Sequence, residues 1–281
     1  MVADAKARAK SIACLTGAGS DQKFPANVGR KFDVEGEVLP FSGNTFLCHV
    51  PQGSTAHAAL REASLALQAG RVAGAFSFLP PSSFHMTVFE GVCDADRNGD
   101  TDRWPTCIAR DAPLAQINQT FQTASGFMSL PAQQNVRPTG LFGGFSVALS
   151  GRSPLAEASL RRTRRVLRDV SGIYRKDFAA YAFHITLAYP VRWVTLAEAN
   201  AVMDHADRVF DRLVMQAPEI SLGPVEFCTF ENMHAFSPQF LFDSQPPKQH
   251  PVAPKMSWSR SLPSGRRAQS LRPSGVDIRW G

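Results

Sequence analysis

Two copies of the tripeptide His-x-Thr are the residues of this chain best suited to chemistry. The first holds His85 and Thr87, the second holds His184 and Thr186, and each copy lies between Phe and an aliphatic residue. In a strand, residues i and i+2 point to the same face, so each copy presents one imidazole and one hydroxyl together. Two such pairs facing one pocket supply an acid, a base and two hydroxyl donors, which suit metal-free cleavage of a phosphodiester.

The elements that must position the two copies follow a similar order in both halves of the chain. In the first half the pattern predicts a strand over 44–50, a helix over 55–69, a strand over 75–79, the first motif strand, a loop over 94–105 and a helix over 112–124. In the second half it predicts a strand over 142–150, a helix over 154–170, the second motif strand, a helix over 195–215 and strands over 220–230 and 234–242. This order predicts an α+β fold of two lobes with an internal pseudo-duplication and a central cleft.

Charge separates a neutral domain from a basic tail. The net charge of the chain is +6, and residues 245–281 hold seven basic residues and one acid, so residues 1–244 sum to zero. We predict a flexible segment over 1–30, a domain over 31–244 with lobes at about 31–130 and 140–244, and a disordered Pro/Ser/Arg-rich tail over 245–281. The tail is expected to contact nucleic acid only weakly.

Five widely spaced cysteines without a C-x-x-C pair argue against a zinc ribbon or a redox motif and favour a reducing compartment. No apolar run is long enough to span a bilayer. We therefore expect a cytoplasmic monomer that needs no cofactor and no metal ion.

Longer stretches around the motifs resemble a known family. Residues 41–46 (FSGNTF), 79–92 (LPPSSFHMTVFEGV) and 181–189 (YAFHITLAY) are similar to the DUF1868 group of the 2H phosphoesterase superfamily, and the resemblance spans about 31–242. It implies antiparallel sheets flanking the cleft. It also implies a metal-independent phosphodiesterase that acts on a cyclic phosphate or a small 2′–5′ or 3′–5′ diester of a nucleotide or RNA terminus.

The resemblance also implies roles for the motif residues. One of His85 and His184 acts as base and the other as acid, while Thr87 and Thr186 hydrogen-bond the non-bridging phosphate oxygens. Unperturbed imidazoles titrate near pH 6.5, so a neutral and a protonated ring are expected to coexist near neutral pH.

The chain departs from the family pattern in its charge. Many relatives place Arg or Lys just after the second Thr, where this chain has Ala188 and Tyr189, and the first copy is followed by Glu90. Strand alternation from Thr87 predicts that Glu90 faces away from the site. A replacement cation is expected from Arg97, Arg103 or Arg192. Further substrate-binding candidates are Asn44, Tyr189 and two base-stacking rings, Trp104 and Phe142; a surface or core role competes for each candidate.

Other functions remain open. A 2H fold can hold a nucleotide or RNA end without turnover, and the missing cation favours that alternative. A metal hydrolase would use His85 and His184 with His49 or His57, but no H-x-x-x-H or H-E-x-x-H spacing supports it. Either motif His also has the ordinary explanation of a core histidine bonded to a carbonyl.

Overall fold

An antiparallel sheet of eight strands carries both motifs at its centre. The computed structural model describes residues 5–126 and 128–242, so the predicted basic tail lies outside the described residues. The strands are β1 Gly43–His49, β2 Phe76–Phe78, β3 His85–Cys93, β4 Gln134–Phe142, β5 Ser146–Gly151, β6 His184–Thr186, β7 Ala188–Pro190, β8 Ile220–Leu222, β9 Val225–Asn232 and β10 Ala235–Phe242. The helices are α1 Ala5–Thr16, α2 Thr55–Gln68, α3 Leu114–Ser125, α4 Pro154–Ser171 and α5 Leu196–Gln216.

The sheet order is β10-β9-β1-β3-β6-β5-β4-β8, and β2 and β7 form a separate two-stranded ribbon. The predicted α+β class and antiparallel pairing are confirmed. The two halves do not have separate sheets, however, because β3 pairs directly with β6 and makes the sheet continuous.

The C-terminal hairpin corrects the predicted lobe boundaries. Strands β9 and β10 lie near the end of the described chain, yet β9 pairs with β1 over residues 225–230 and 43–47. The sheet therefore has four strands on each side of the β3–β6 junction. On the side that carries the first motif, two of the four strands, β9 and β10, come from the second half of the sequence. A lobe division into contiguous stretches does not describe this topology.

Local sequence signals explain where the helices begin and end. Ser54 and Ser153 cap α2 and α4 by accepting hydrogen bonds from backbone N–H groups three residues later. Thr195 and Glu198 form the predicted capping box at the start of α5. Gly172 ends α4 in the left-handed conformation, at φ 67°, where a residue without Cβ is favoured.

The N-terminal segment is ordered where the structure describes it, which corrects the prediction of a flexible lead-in over 1–30. Helix α1 packs against α5, and Arg8 forms ion pairs of 2.7 Å and 3.1 Å with Asp204 and Asp207. Leu15 is fully buried in a cluster with Phe145 and Met203. The lack of clear periodicity in this segment reflects a helix that buries only a narrow stripe.

A hairpin replaces the strand predicted over 142–150. Strand β4 ends at Phe142 and β5 begins at Ser146, and the two pair across a turn at Gly143 and Gly144. Both glycines have positive φ, at 57° and 73°, which this tight turn requires. The two glycines therefore mark a turn between two strands, and β4 was not predicted.

A β-bulge in β3 is stabilised from outside the sheet. Phe46 pairs with Phe89 and Leu47 with Thr87, so Val88 is an extra residue without a partner on β1. The buried Arg164 of α4 donates a hydrogen bond to the carbonyl oxygen of Val88. This hydrogen bond satisfies a backbone carbonyl at the bulge, where Val88 has no partner on β1.

Tyr181 completes the support of this segment. Its hydroxyl donates to the carbonyl oxygen of Thr87 at 3.1 Å, and its ring lies 3.7 Å from the guanidinium carbon of Arg164. Tyr181 precedes the second motif by three residues and bonds to the first motif. Arg164 of α4 and Tyr181 thus both hold β3 in its bulged form.

We predict that Arg164→Leu lowers the free energy of unfolding by about 1–3 kcal/mol, because it leaves the buried carbonyl of Val88 without its donor. The exposed Arg165 of the same helix, changed to Leu, is the matched control and is expected to change stability by less than about 0.5 kcal/mol. Urea denaturation of both variants measures this difference. Equal stabilities would show that Arg164 does not support the bulge.

Candidate active site

The two motifs meet in one cleft of about 300 Å³. His85, Thr87, His184 and Thr186 all line it. A cavity of similar volume, about 320 Å³, lies where the end of α2 meets α5 and contains neither motif.

Strand register places the four side chains in a compact square. Met86 pairs with Ile185 in the antiparallel sense, which sets His85 opposite Thr186 and Thr87 opposite His184. Met86 and Ile185 are completely buried on the other face of the sheet. Directly opposite side chains start about 4.5–5.5 Å apart and diagonal ones about 7–8 Å apart. A tetrahedral phosphate fits between the diagonal imidazoles.

Both imidazoles are oriented by the same backbone contact. Nδ1 of His85 lies 2.6 Å from the carbonyl oxygen of Ser83, and Nδ1 of His184 lies 2.9 Å from that of Ala182. A carbonyl oxygen only accepts, so Nδ1 carries the proton and Nε2 is the nitrogen that exchanges a proton with a substrate. The spacing from histidine to carbonyl is two residues in both copies.

Burial makes both rings weak bases. Burial, with smaller effects from the fields of His49 and His184, lowers the pKa of His85 to about 4, against the opposing effects of the Ser83 carbonyl and Glu226. Burial also lowers the pKa of His184, and Lys31 adds to that effect, while the Ala182 carbonyl and Glu90 oppose it. Both rings are therefore neutral in the empty cleft at neutral pH, contrary to the expected coexistence of one neutral and one protonated ring.

A third histidine adjoins the first motif. His49 pairs with His85 across β1 and β3, and the ring centroids are 6.2 Å apart. Nδ1 of His49 lies 2.9 Å from Oε2 of Glu226. The position that pairs with His184 on β5 is Ala148, so the two halves of the site differ in their charged neighbours.

Among the described residues, one group of three potential metal ligands meets within 4.8 Å: His49, Glu226 and Cys228. Burial and the field of Glu226 raise the pKa of the Cys228 thiol well above its usual range, so the thiol is protonated. Because a metal needs the thiolate and His49 already bonds to Glu226, these residues fit an ion pair better than a metal centre. His57, the other predicted alternative, bonds the carbonyl of Pro81.

Glu90 faces the cleft, so the prediction that it points away is wrong. Alternation fails because the bulge at Val88 inserts one residue between Thr87 and Glu90 and returns Glu90 to the motif face. Its carboxylate lies 3.2 Å from Arg175, which also binds both carboxylate oxygens of Asp177 at 2.9 Å and 3.0 Å.

These bonds determine the charge of Arg175. Burial opposes its charge, but the hydrogen bonds to Asp177 and the fields of Glu90 and Asp177 raise the pKa of Arg175 above its usual range. The guanidinium is thus a fixed cation on the cleft wall that two carboxylates already neutralise.

Four cations and three carboxylates line the cleft, leaving an excess of one positive charge when both imidazoles are neutral. The cations are Arg30, Lys31, Arg103 and Arg175, and the carboxylates are Glu90, Asp96 and Asp177. Arg30 is paired with Asp96 at 2.8 Å. Of the candidate replacement cations only Arg103 lines the cleft. Lys31, Arg30 and Arg175 were not predicted, because they lie in loops whose sequence has no periodic signal.

Asn44 and Tyr189, two of the predicted substrate-binding residues, line the cleft wall. Both amide atoms of Asn44 are engaged, however: Oδ1 accepts from the Val92 N–H at 3.0 Å, and Nδ2 donates to Asn118 at 2.7 Å. A Cβ at Gly91 would lie 1.9 Å from Asn44 Oδ1, so this close approach requires glycine. Asn44 therefore supports the bulged strand, and Tyr189 is buried in the wall with its hydroxyl 3.8 Å from Sδ of Met233.

Four other candidates do not line the cleft, because each has a structural partner elsewhere. Arg97 binds Asp94 and two backbone carbonyls, Arg192 binds Glu198, the buried Trp104 donates to the carbonyl of Ile108, and Phe142 packs on Phe145. The aromatic residues in the cleft are instead Phe41, Tyr181, Tyr189, Phe230 and Phe236, and the Phe236 ring lies 4.3 Å from that of His85.

The fold and the paired motifs define a protein of the two-histidine phosphoesterase class. A family model for 2H phosphodiesterases, described as a domain of unknown function (DUF1868), matches residues 31–138. The chain belongs to the 2H phosphoesterase superfamily, in this DUF1868 group.

Solved structures are similar to the chain over most of its length. A conserved protein of unknown function from Agrobacterium tumefaciens, ATU0111, is 31% identical with a TM-score of 0.78, over 83% of this chain and 99% of that one. A LigT structure from E. coli, complexed with NADP+, is 14% identical with a TM-score of 0.41, over 73% of this chain and 99% of that one. No curated protein matches the chain. Within the described ranges, none of the helices is both long and apolar enough to cross a membrane.

We predict that NMR titration of the ligand-free protein gives His85 a pKa of about 4. His49→Gln should raise this value, because it removes a neighbour whose field lowers it. His205, which bonds the Ala66 carbonyl on α2, provides the control: His205→Gln should leave the His85 midpoint unchanged. A His85 midpoint at the ordinary 6.5 would contradict the described environment.

Proposed function

We propose that this protein is a metal-independent phosphodiesterase that cleaves a cyclic phosphate or a small 2′–5′ or 3′–5′ diester of a nucleotide or RNA terminus. The supporting observation is the register of β3 on β6, which directs both imidazoles and both threonines into one cleft. One imidazole takes a proton from water or a ribose hydroxyl, and the other gives a proton to the leaving oxygen. Thr87 and Thr186 hydrogen-bond the non-bridging oxygens as their charge grows.

The charge of the cleft favours a diester over a monoester. With both imidazoles neutral, the lining residues carry one excess positive charge, which matches the single negative charge of a diester. A bound anion also stabilises the protonated form of a nearby imidazole. Substrate binding thus favours the protonated imidazole that the acid step requires and that is absent from the empty cleft at neutral pH.

Aromatic side chains favour a substrate with an apolar or heterocyclic part. Phe41, Phe230 and Phe236 line the same cleft as the motif residues. Rings of this kind stack on nucleobases without requiring a particular base. This supports a nucleotide or RNA end as the substrate class.

The second candidate is a binding module that holds a nucleotide or RNA end without turnover. The lowered pKa values of His85 and His184 favour it, because a neutral ring cannot act as the acid. The two functions differ in one observable: only the enzyme converts a 2′,3′-cyclic nucleotide to a monoester.

Phosphorus NMR in the presence of EDTA is expected to show hydrolysis of 2′,3′-cyclic nucleotides or 2′–5′ dinucleotides. His85→Gln and His184→Gln should each lower kcat/KM by about 10²- to 10⁴-fold, the usual contribution of a positioned proton transfer. The His205→Gln control should retain full activity. Binding of the nucleotide without any product would instead establish the binding module.

The profile of kcat/KM against pH is expected to be bell-shaped with its maximum below pH 6.5. Both pKa values of the free enzyme lie below 6.5, and a maximum falls between them. Activity therefore falls as pH rises through the higher pKa, since the acid then loses its proton. A maximum at pH 8 would show that other groups control the reaction.

A further inference from the structure

The strand motif lacks a cation, and a loop outside the motif supplies one. Lys31 lines the cleft, with its Nζ 4.9 Å from the ring centroid of Tyr189 and 5.4 Å from that of Phe41. Within residues 5–126 and 128–242, no carboxylate forms an ion pair with it. The ammonium group therefore contacts aromatic faces and retains its charge for an incoming anion.

Lys31 lies on the motif side of the cleft. It contributes to the lowered pKa of His184, which places its field at the second motif. Arg103 also lines the cleft, but its field acts on Asp177. Arg30 and Arg175 are already paired with acids. Of the four cations, Lys31 alone combines the absence of an ion pair among the described residues with a field that acts on a motif histidine.

The loop that carries Lys31 is held rigidly. The Lys31 N–H donates to the Asn27 carbonyl at 2.9 Å, and the Lys31 carbonyl accepts from the Leu39 N–H at 2.9 Å. The next residue, Phe32, is completely buried and packs 5.1 Å from the Tyr189 ring. The backbone of Lys31 is thus positioned before a ligand arrives, which lowers the entropic cost of binding.

We propose that Lys31 is the cation that binds the substrate phosphate in this cleft, taking the place of the cation that the second motif lacks. This inference rests on the proposed function for the identity of the substrate, but binding of an anion can be tested without turnover. The ammonium contacts a non-bridging oxygen of the phosphate held between the two motifs. It therefore stabilises the bound diester and the charge that develops on it.

The test is calorimetric titration of the full chain with inorganic phosphate. Lys31→Met should weaken binding by about 10- to 100-fold, the loss expected for a hydrogen bond to a charged group, and Lys31→Arg should retain most of the affinity. Lys23 is the matched control, because its Nζ also lies over an aromatic ring, that of Phe24, at 5.2 Å, but outside the cleft. Lys23→Met should bind phosphate like the unaltered protein.

A second measurement separates binding from structural damage. NMR titration should show that Lys31→Met raises the pKa of His184, because the field of Lys31 lowers it. Unchanged phosphate affinity in Lys31→Met, or no phosphate binding by the unaltered protein, overturns the inference. Phosphate binding that depends on Lys31 without any diester hydrolysis supports the role of Lys31 and overturns the proposed enzyme.

Discussion

One antiparallel residue pair, Met86 with Ile185, joins the two halves of the sheet, and the site depends on it. Among the described residues it is the one registered ladder pair between β3 and β6. A shift of one residue would bring Met86 or Ile185 to the cleft and turn an imidazole into the core. The two buried side chains therefore determine the register and, through it, the facing arrangement of the two His-Thr pairs.

The surroundings of this junction stabilise it from both sides. Tyr181, next to the second motif, bonds the carbonyl of Thr87 in the first, and Arg164 bonds the carbonyl of the bulged Val88. The bulge in turn brings Glu90 to the cleft, where it pairs with Arg175. The bulge at Val88 thus determines that Glu90 faces the cleft, and the hydrogen bond from Arg164 of α4 stabilises the bulge.

The shared orientation of the four motif side chains could be predicted from the sequence, but the charged residues around them could not. His85, Thr87, His184 and Thr186 follow the two-residue period of a strand, so their shared direction can be read from the chain. Glu90 was misplaced because a bulge breaks that period and leaves no signature in the sequence. Lys31 and Arg175 come from loops, where position is determined by tertiary contacts. The pairing of β9 with β1 was equally hidden, since it joins residues about 180 positions apart.

Electrostatics distinguishes the two halves of an otherwise repeated arrangement. His85 has His49 as its cross-strand neighbour, whereas His184 has Ala148. Lys31 lowers the pKa of His184 and Glu90 raises it. Both rings share a carbonyl contact at Nδ1 and a partly buried position, so each is a weak base in the empty cleft. An anionic ligand in the cleft would raise the proton affinity of both rings at once.

The proposed site requires both motifs to bind the same anion. An NMR titration with inorganic phosphate in EDTA, monitoring the imidazole signals of His85 and His184, tests it most directly. Both signals are expected to shift together with one dissociation constant, because one phosphate contacts both rings. Signals that shift with different constants, or a shift confined to one ring, would show that the two motifs do not form a single site.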